Sequence, residues 1–254
     1  MAREEGGTPA IVESVRAGLV VALKEGVGAE RILELERRWW QRAQQRLSRN
    51  PHLEILGNPE APRLPIVSVR VHRGGLVLHH EFVVALLDDL FGIQARGGCS
   101  CAGPYGHRLL CITPRRSAAL RAQAARGYLG IKPGWTRVTF PYFMSETVVD
   151  YVLDAVDLVA THGHRLLTDY RFDVRSGRWQ HRSAPGWPEP RLADLLSGAA
   201  PSAHRLGEDA LSGQLERARS ILLSRDDGPM DRPSGLPPEL EALREFHLPP
   251  TCLG

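Results

Sequence analysis

Apolar and polar positions alternate along this chain with two periods, one helical and one strand-like. From Ala10 the spacing is helical, with Ile11, Val15, Leu19 and Leu23 returning every four residues, and Thr8 and Pro9 stand where a cap and first turn belong. Gly26 and Gly28 interrupt it. A second helix is expected over 29–48, with Ile32, Leu35, Trp39 and Leu47 on one side and its many charges forming a solvated face. Leu53 to Leu56 reads as a short strand. Ile66 to Val71 reads as another, Val67, Val69 and Val71 alternating with Ile66, Ser68 and Arg70. Leu78 to Phe91 is helical, with Phe82, Leu86 and Phe91 inward and Gly92 as its cap, and a short strand is expected at Ile93 to Ala95. An Arg/Ala-rich helix (Pro114 to Gly127), a strand (Gly134 to Phe140) and a helix capped by Ser145 follow. A hairpin then turns at Ser176-Gly177. From Ala184 onward proline, glycine and serine dominate, which predicts short helices in a loosely packed, partly disordered tail.

The order β-β-α-β-α-β-α between Leu53 and Gly163 implies an α/β or α+β sandwich: a small sheet packed with helices, preceded by a long N-terminal helix. Composition changes this picture little. With 43% hydrophobic and 24% charged residues the chain can bury one good core. A net charge of +3 is too slight to argue for nucleic acid. The apolar run Ala17 to Leu23 stops at Lys24, too short to span a bilayer. No basic-then-apolar leader pattern opens the chain, and four cysteines, two of them one residue apart, do not read as a secreted disulfide framework. A reducing, cytoplasmic setting is expected.

The chemistry concentrates in Arg96-Gly97-Gly98-Cys99-Ser100-Cys101-Ala102-Gly103-Pro104-Tyr105-Gly106-His107, directly after the apolar run Phe82 to Ile93. Its glycines and proline predict a loop rather than a helix or strand interior. An arginine, two cysteines and the histidine His107 in such a loop supply an anion binder, a nucleophile and a candidate base.

This loop resembles the C-terminal loop of class V aminotransferases, most closely the Arg-x-Gly-x-x-Cys-Ala-x-Pro pattern of the cysteine desulfurase branch. Two more motifs fall in the family's order. Arg3-Glu4-Glu5-Gly6-Gly7-Thr8-Pro9 is similar to its Arg-x-Glu-x-Gly-Thr-Pro, and Arg137-Val138-Thr139, then Phe143-Met144-Ser145 and Val149-Asp150, is similar to its strand motif. The resemblance covers Arg3 to about Gly163. It implies a pyridoxal 5′-phosphate (PLP) enzyme of the aspartate-aminotransferase-like fold, acting on an amino acid as a homodimer. It further implies that Gly7 and Thr8 reach the cofactor phosphate, that Arg96 and Arg137 bind the substrate carboxylate, and that Cys101 attacks substrate sulfur. On this reading 1–28 is the end of a large domain, 29–165 the small domain and 166–254 a hairpin and tail.

The family's Schiff-base lysine precedes the Gly-Thr-Pro loop, and the two lysines here, Lys24 and Lys132, have the wrong context. The chain is therefore expected to be the C-terminal part of such an enzyme, inactive alone, with an N-terminal large domain missing from it. Cys99-Ser100 departs from the desulfurase pattern, which usually has His there, and weakens that branch relative to the broader class. Two rivals stay open. One is a non-catalytic interaction module or relic fragment. The lesser one is a metal site from Cys99, Cys101, His107 and Cys111, although Cys111 lies in an apolar run that looks like core. No membrane or nucleic-acid partner is expected.

Overall fold

The computed structural model describes residues 6–99, 103–184, 193, 196, 207–228 and 233–253. Its centre is an antiparallel sheet in the order β1 (Leu53–Ile55), β2 (Ile66–Arg73), β5 (Trp135–Thr139), β4 (Arg96–Gly98), with β3 (Leu76–Val77) paired to β2. The alternation in β2 sets the sheet's two faces. Val67, Val69 and Val71 are at most 2% exposed, and Val138 stands opposite Val67 on the same face. Helices α2 (Ala29–Leu47), α3 (His80–Phe91) and α6 (Glu146–His162) supply the rest of that core, with Trp39, Phe82, Leu86, Val149 and Leu153 all buried. The antiparallel pairing makes this an α+β domain, a small sheet packed with helices.

The charges of α2 are more than a solvated face. Arg38, Arg42 and Arg46, four residues apart, pair with Glu146, Asp150 and Asp154, four apart on α6. Asn50 extends the row, donating to the Asp157 carboxylate at 2.8 Å and to the Thr161 hydroxyl at 2.9 Å. Each half-exposed pair is worth little alone, but matching spacings fix the register of the two helices. Asp150, part of the family-like motif, is occupied in this way.

Three local expectations need correction. The first concerns the glycine-rich segment. Gly92 caps α3 in the left-handed conformation, and Ile93 N–H still bonds the Leu87 carbonyl, so the chain joins the sheet only at Arg96. The first three residues of the expected loop are thus β4, a short edge strand, and Gly103–Leu109 is helix α4. The second is Cys111, which is exposed rather than core. It adopts φ +52° in the turn after α4, where Ile112 N–H bonds the His107 carbonyl. The third is Thr8, which does not cap α1 (Ile11–Val27): that helix begins after Ala10 and has no side-chain cap.

The tail packs closely over much of its described length. Helix α7 (Leu211–Leu223) lies against α3 and α6, and residues 233–253 return to the sheet, where Phe246 bridges Val77. Leu222, Leu240, Phe246, Leu248 and Cys252 are at most 2% exposed. Apolar residues spaced among prolines, with no helical or strand period, gave no sign of this. Helix α1 is the opposite case: it reads as amphipathic, yet none of its residues is buried.

Leu240→Ala should cost about 2–5 kcal/mol, as for a leucine fully removed from a core. Leu19→Ala, at a position 60% exposed, should stay within about 0.5 kcal/mol. Urea unfolding of the two variants measures both, and equal costs would show that residues 233–253 are not part of the core.

Candidate functional site

The site follows from the β4–β5 register. Arg96 is the cross-strand partner of Arg137, and Ser68 is the partner of Arg137 on its other side. Directly opposite residues share a face, so Ser68, Arg137 and Arg96 form a row across three strands. Both arginines are among the residues around a largely apolar cavity of about 480 Å³ at the sheet's edge, with Phe91, Gln94, Val138 and Tyr151. Neither guanidinium has a carboxylate or hydrogen-bond partner among the described residues, which sets them apart from the neighbouring Arg70, bonded to Glu245 at 2.9 Å. Two like charges directly opposed are unfavourable, and a bound anion reverses the sign of that term. The cavity is of the size that holds small molecules.

Behind β4 lies a pair of histidines. His79 caps α3, its ring accepting from Glu81 N–H at 3.2 Å and meeting the Gly130 carbonyl at 3.0 Å. His80 stacks on it with ring centroids 4.2 Å apart. Burial first, and the neighbouring His80 second, push His79 well below the ordinary imidazole range. Burial first, and the Arg70 charge second, bring His80 down to about 4. A Cβ on Gly97 would stand 2.5 Å from Glu81 Oε1 and 3.0 Å from His80 Cδ2, so a side chain there requires the Glu81 carboxylate to swing away and presses on the His80 ring. Two adjacent histidines at a helix start have the composition of a polar cap. Nothing in that composition announces their burial.

The other sequence candidates are scattered. Gly7 and Thr8 are exposed in a bend before α1, and a Cβ on Gly7 would meet nothing within 4 Å. Cys101 lies outside the described residues. Ser145 caps α6, its hydroxyl accepting from Val148 N–H at 3.1 Å. Among the described residues no three His, Cys, Asp or Glu side chains are grouped to hold a metal, and no helix is long and apolar enough to cross a membrane.

The fold is an α+β domain whose edge strand sets Arg96 opposite Arg137, neither guanidinium partnered among the described residues. Residues 2–127 match the class V aminotransferase family, and through that segment the chain belongs to it. The matched stretch includes Gly7, Thr8, Arg96 and Cys101, and ends before Arg137. No curated protein matches the chain. The chain is accordingly aminotransferase-like, of a family generally dependent on PLP.

The described residues do not by themselves form a seat for that cofactor. Lys24 is exposed on α1 and pairs with Glu25 at 2.9 Å. Lys132 lines a different cavity from the one that holds the two arginines. The Gly7–Thr8 bend faces open space.

The buried histidines make stability pH-dependent. His80 is neutral when folded and protonates near 6.5 once unfolded, so stability is full above about 6.5 and declines as pH falls towards 4. Glu81, its carboxyl pKa raised by burial, acts in the opposite direction. Comparing the parent with His80→Gln cancels that contribution. The parent should lose on the order of 3 kcal/mol more than the variant between pH 6.5 and 4. Urea midpoints measure this, and parallel pH profiles would rule out a buried neutral His80.

Proposed function

We propose that this chain supplies the substrate-carboxylate side of a PLP-dependent class V enzyme acting on an amino acid, and that it represents the C-terminal part of such an enzyme. The observation that carries the reading is the Arg96–Arg137 pair, without partners among the described residues, beside its cavity. Two guanidinium groups side by side match a carboxylate through charge-assisted hydrogen bonds. Arg137 and Arg96 are the substrate-binding residues. Cys101 is the nucleophile that takes substrate sulfur if the enzyme belongs to the desulfurase branch. Gly7 and Thr8 reach the phosphate of a cofactor held by another unit.

Helix α1 supports the assignment of 1–28 to a surface completed elsewhere. Ile11, Val12, Val15, Leu19, Val20, Val21, Leu23 and Val27 are all exposed on it, more apolar surface than one solvated helix normally presents. A large domain or the second subunit of a homodimer would cover them, in a cytoplasmic enzyme. The same bare helix favours a second reading, a non-catalytic interaction module. Ligand binding at the arginines separates the two.

Titration of the isotope-labelled chain with L-alanine and with L-cysteine, followed by NMR, should shift amide signals of β4 and β5. The methyl esters, which lack the carboxylate, should not. Arg96→Ala or Arg137→Ala should weaken binding at least about tenfold, as expected when a charged hydrogen bond is lost. Shifts equal for acid and ester, or unchanged in both variants, would remove the carboxylate role. Separately, borohydride treatment of the chain with PLP should fix no specific adduct. A stoichiometric adduct on Lys24 or Lys132 would show that the chain carries its own Schiff-base lysine.

A further inference from the structure

The second cavity, of about 410 Å³, lies on the other side of the glycine-rich segment and has no part in carboxylate recognition. Its wall includes Gly98 and Cys99, the residues that follow Arg96 by two and three positions, and its other sides come from α3, the turn at Leu129–Pro133 and the hairpin turn at Ser176–Arg178. Four features make it a built site. Cys99 is a free thiol, half-buried. The His80 side chain, only 11% exposed, lines the cavity and has no hydrogen-bond partner among the described residues, its Nε2 standing 3.9 Å from Glu81 Oε1. Neither ring nitrogen is sealed off, so both are open to hydrogen-bond a molecule in the cavity. Lys132 and Arg178 are exposed and also line the cavity, and neither is paired with a carboxylate among the described residues. Glu81 is the single carboxylate among the lining residues, so the balance of charge there favours an anion.

We propose that this cavity is a thiol-exchange site in which Cys99 reacts with a small, negatively charged disulfide. Lys132 and Arg178 attract the anionic group, and His80 hydrogen-bonds the bound molecule. In the step itself the Cys99 thiolate attacks one sulfur of the disulfide. A Cys99–S–S–R bond forms, the R–S–S–R bond breaks, and one R–S⁻ leaves carrying the electron pair. Cys99 is oxidised and the incoming disulfide reduced, so no further oxidant is needed. Cys111 is the internal comparison: it is also a free, exposed thiol, but it is not among the residues of this cavity. Cys252 is buried, and burial pushes its thiol up to about 11, which removes it from competition.

The test uses two methanethiosulfonates on the full chain, one bearing a sulfonate and the other a trimethylammonium group. Each leaves a mixed disulfide on the thiol and releases methanesulfinate. Fragment-ion mass spectrometry assigns the extent of reaction to Cys99, Cys101 and Cys111 separately. Relative to Cys111, Cys99 should favour the sulfonate reagent roughly three- to tenfold, the scale of steering by two nearby charges. The double variant Lys132→Gln with Arg178→Gln, both at exposed positions that the fold does not depend on, should abolish that preference. His80→Gln, which keeps a hydrogen-bonding group, should retain it. No preference at Cys99 over Cys111, or a preference that survives the double variant, overturns the proposal.

Discussion

The arrangement of β5 between β2 and β4 is the constraint on which the site depends. β5 pairs Val138 with Val67 on one face and so commits Arg137 to the other. The β4 register then sets Arg96 directly opposite it. Neither side chain can be moved off that face without shifting the strand by one residue, which would also send Val138 out of the core. Burial of a few valines thus fixes the juxtaposition of two like charges, and hydrophobic packing meets the electrostatic cost of holding them together. The carboxylate role proposed for the pair would turn that local cost to use.

The glycine-rich segment divides two environments. Arg96 opens onto the cavity of the arginine pair, while Gly98 and Cys99 border the cavity with His80. Gly97 between them lies against Glu81 and His80, where a side chain has no room. A side chain at 97 would displace the Glu81 carboxylate and press on the His80 ring, both of which line the second cavity. The two glycines serve different ends: Gly97 lies close to the Glu81 and His80 side chains, while Gly98 adopts φ +111°.

Much of this architecture was legible in the sequence, because it rests on local periodicity. The valine alternation of β2, the Gly92 cap of α3 and the Ser145 cap of α6 each follow from a few neighbouring residues. Arg96 and Arg137 were identified by resemblance, and their pairing depends on a strand register that no local pattern encodes. Three other features were hidden for related reasons. His79 and His80 look polar, and are buried by elements far along the chain, with Phe172, Trp179 and Phe246 packed around His79. The tail buries Leu240 and Leu248 without any secondary-structure period to announce it. The arginines of α2 look like a solvated face until their matching carboxylates on α6, more than a hundred residues away, are brought alongside.

The central claim is that the Arg96–Arg137 pair is an anion site held at a cost. Thermal unfolding of Arg96→Gln against the parent, with and without L-alanine at matched ionic strength, tests it most directly. Removing one of two opposed like charges is worth on the order of 0.2–1 kcal/mol. The variant should therefore melt about 1–3 °C higher than the parent when free, and should lose the rise in melting temperature that L-alanine gives the parent. A variant that melts lower than the parent, or that keeps the full rise with L-alanine, would contradict the account.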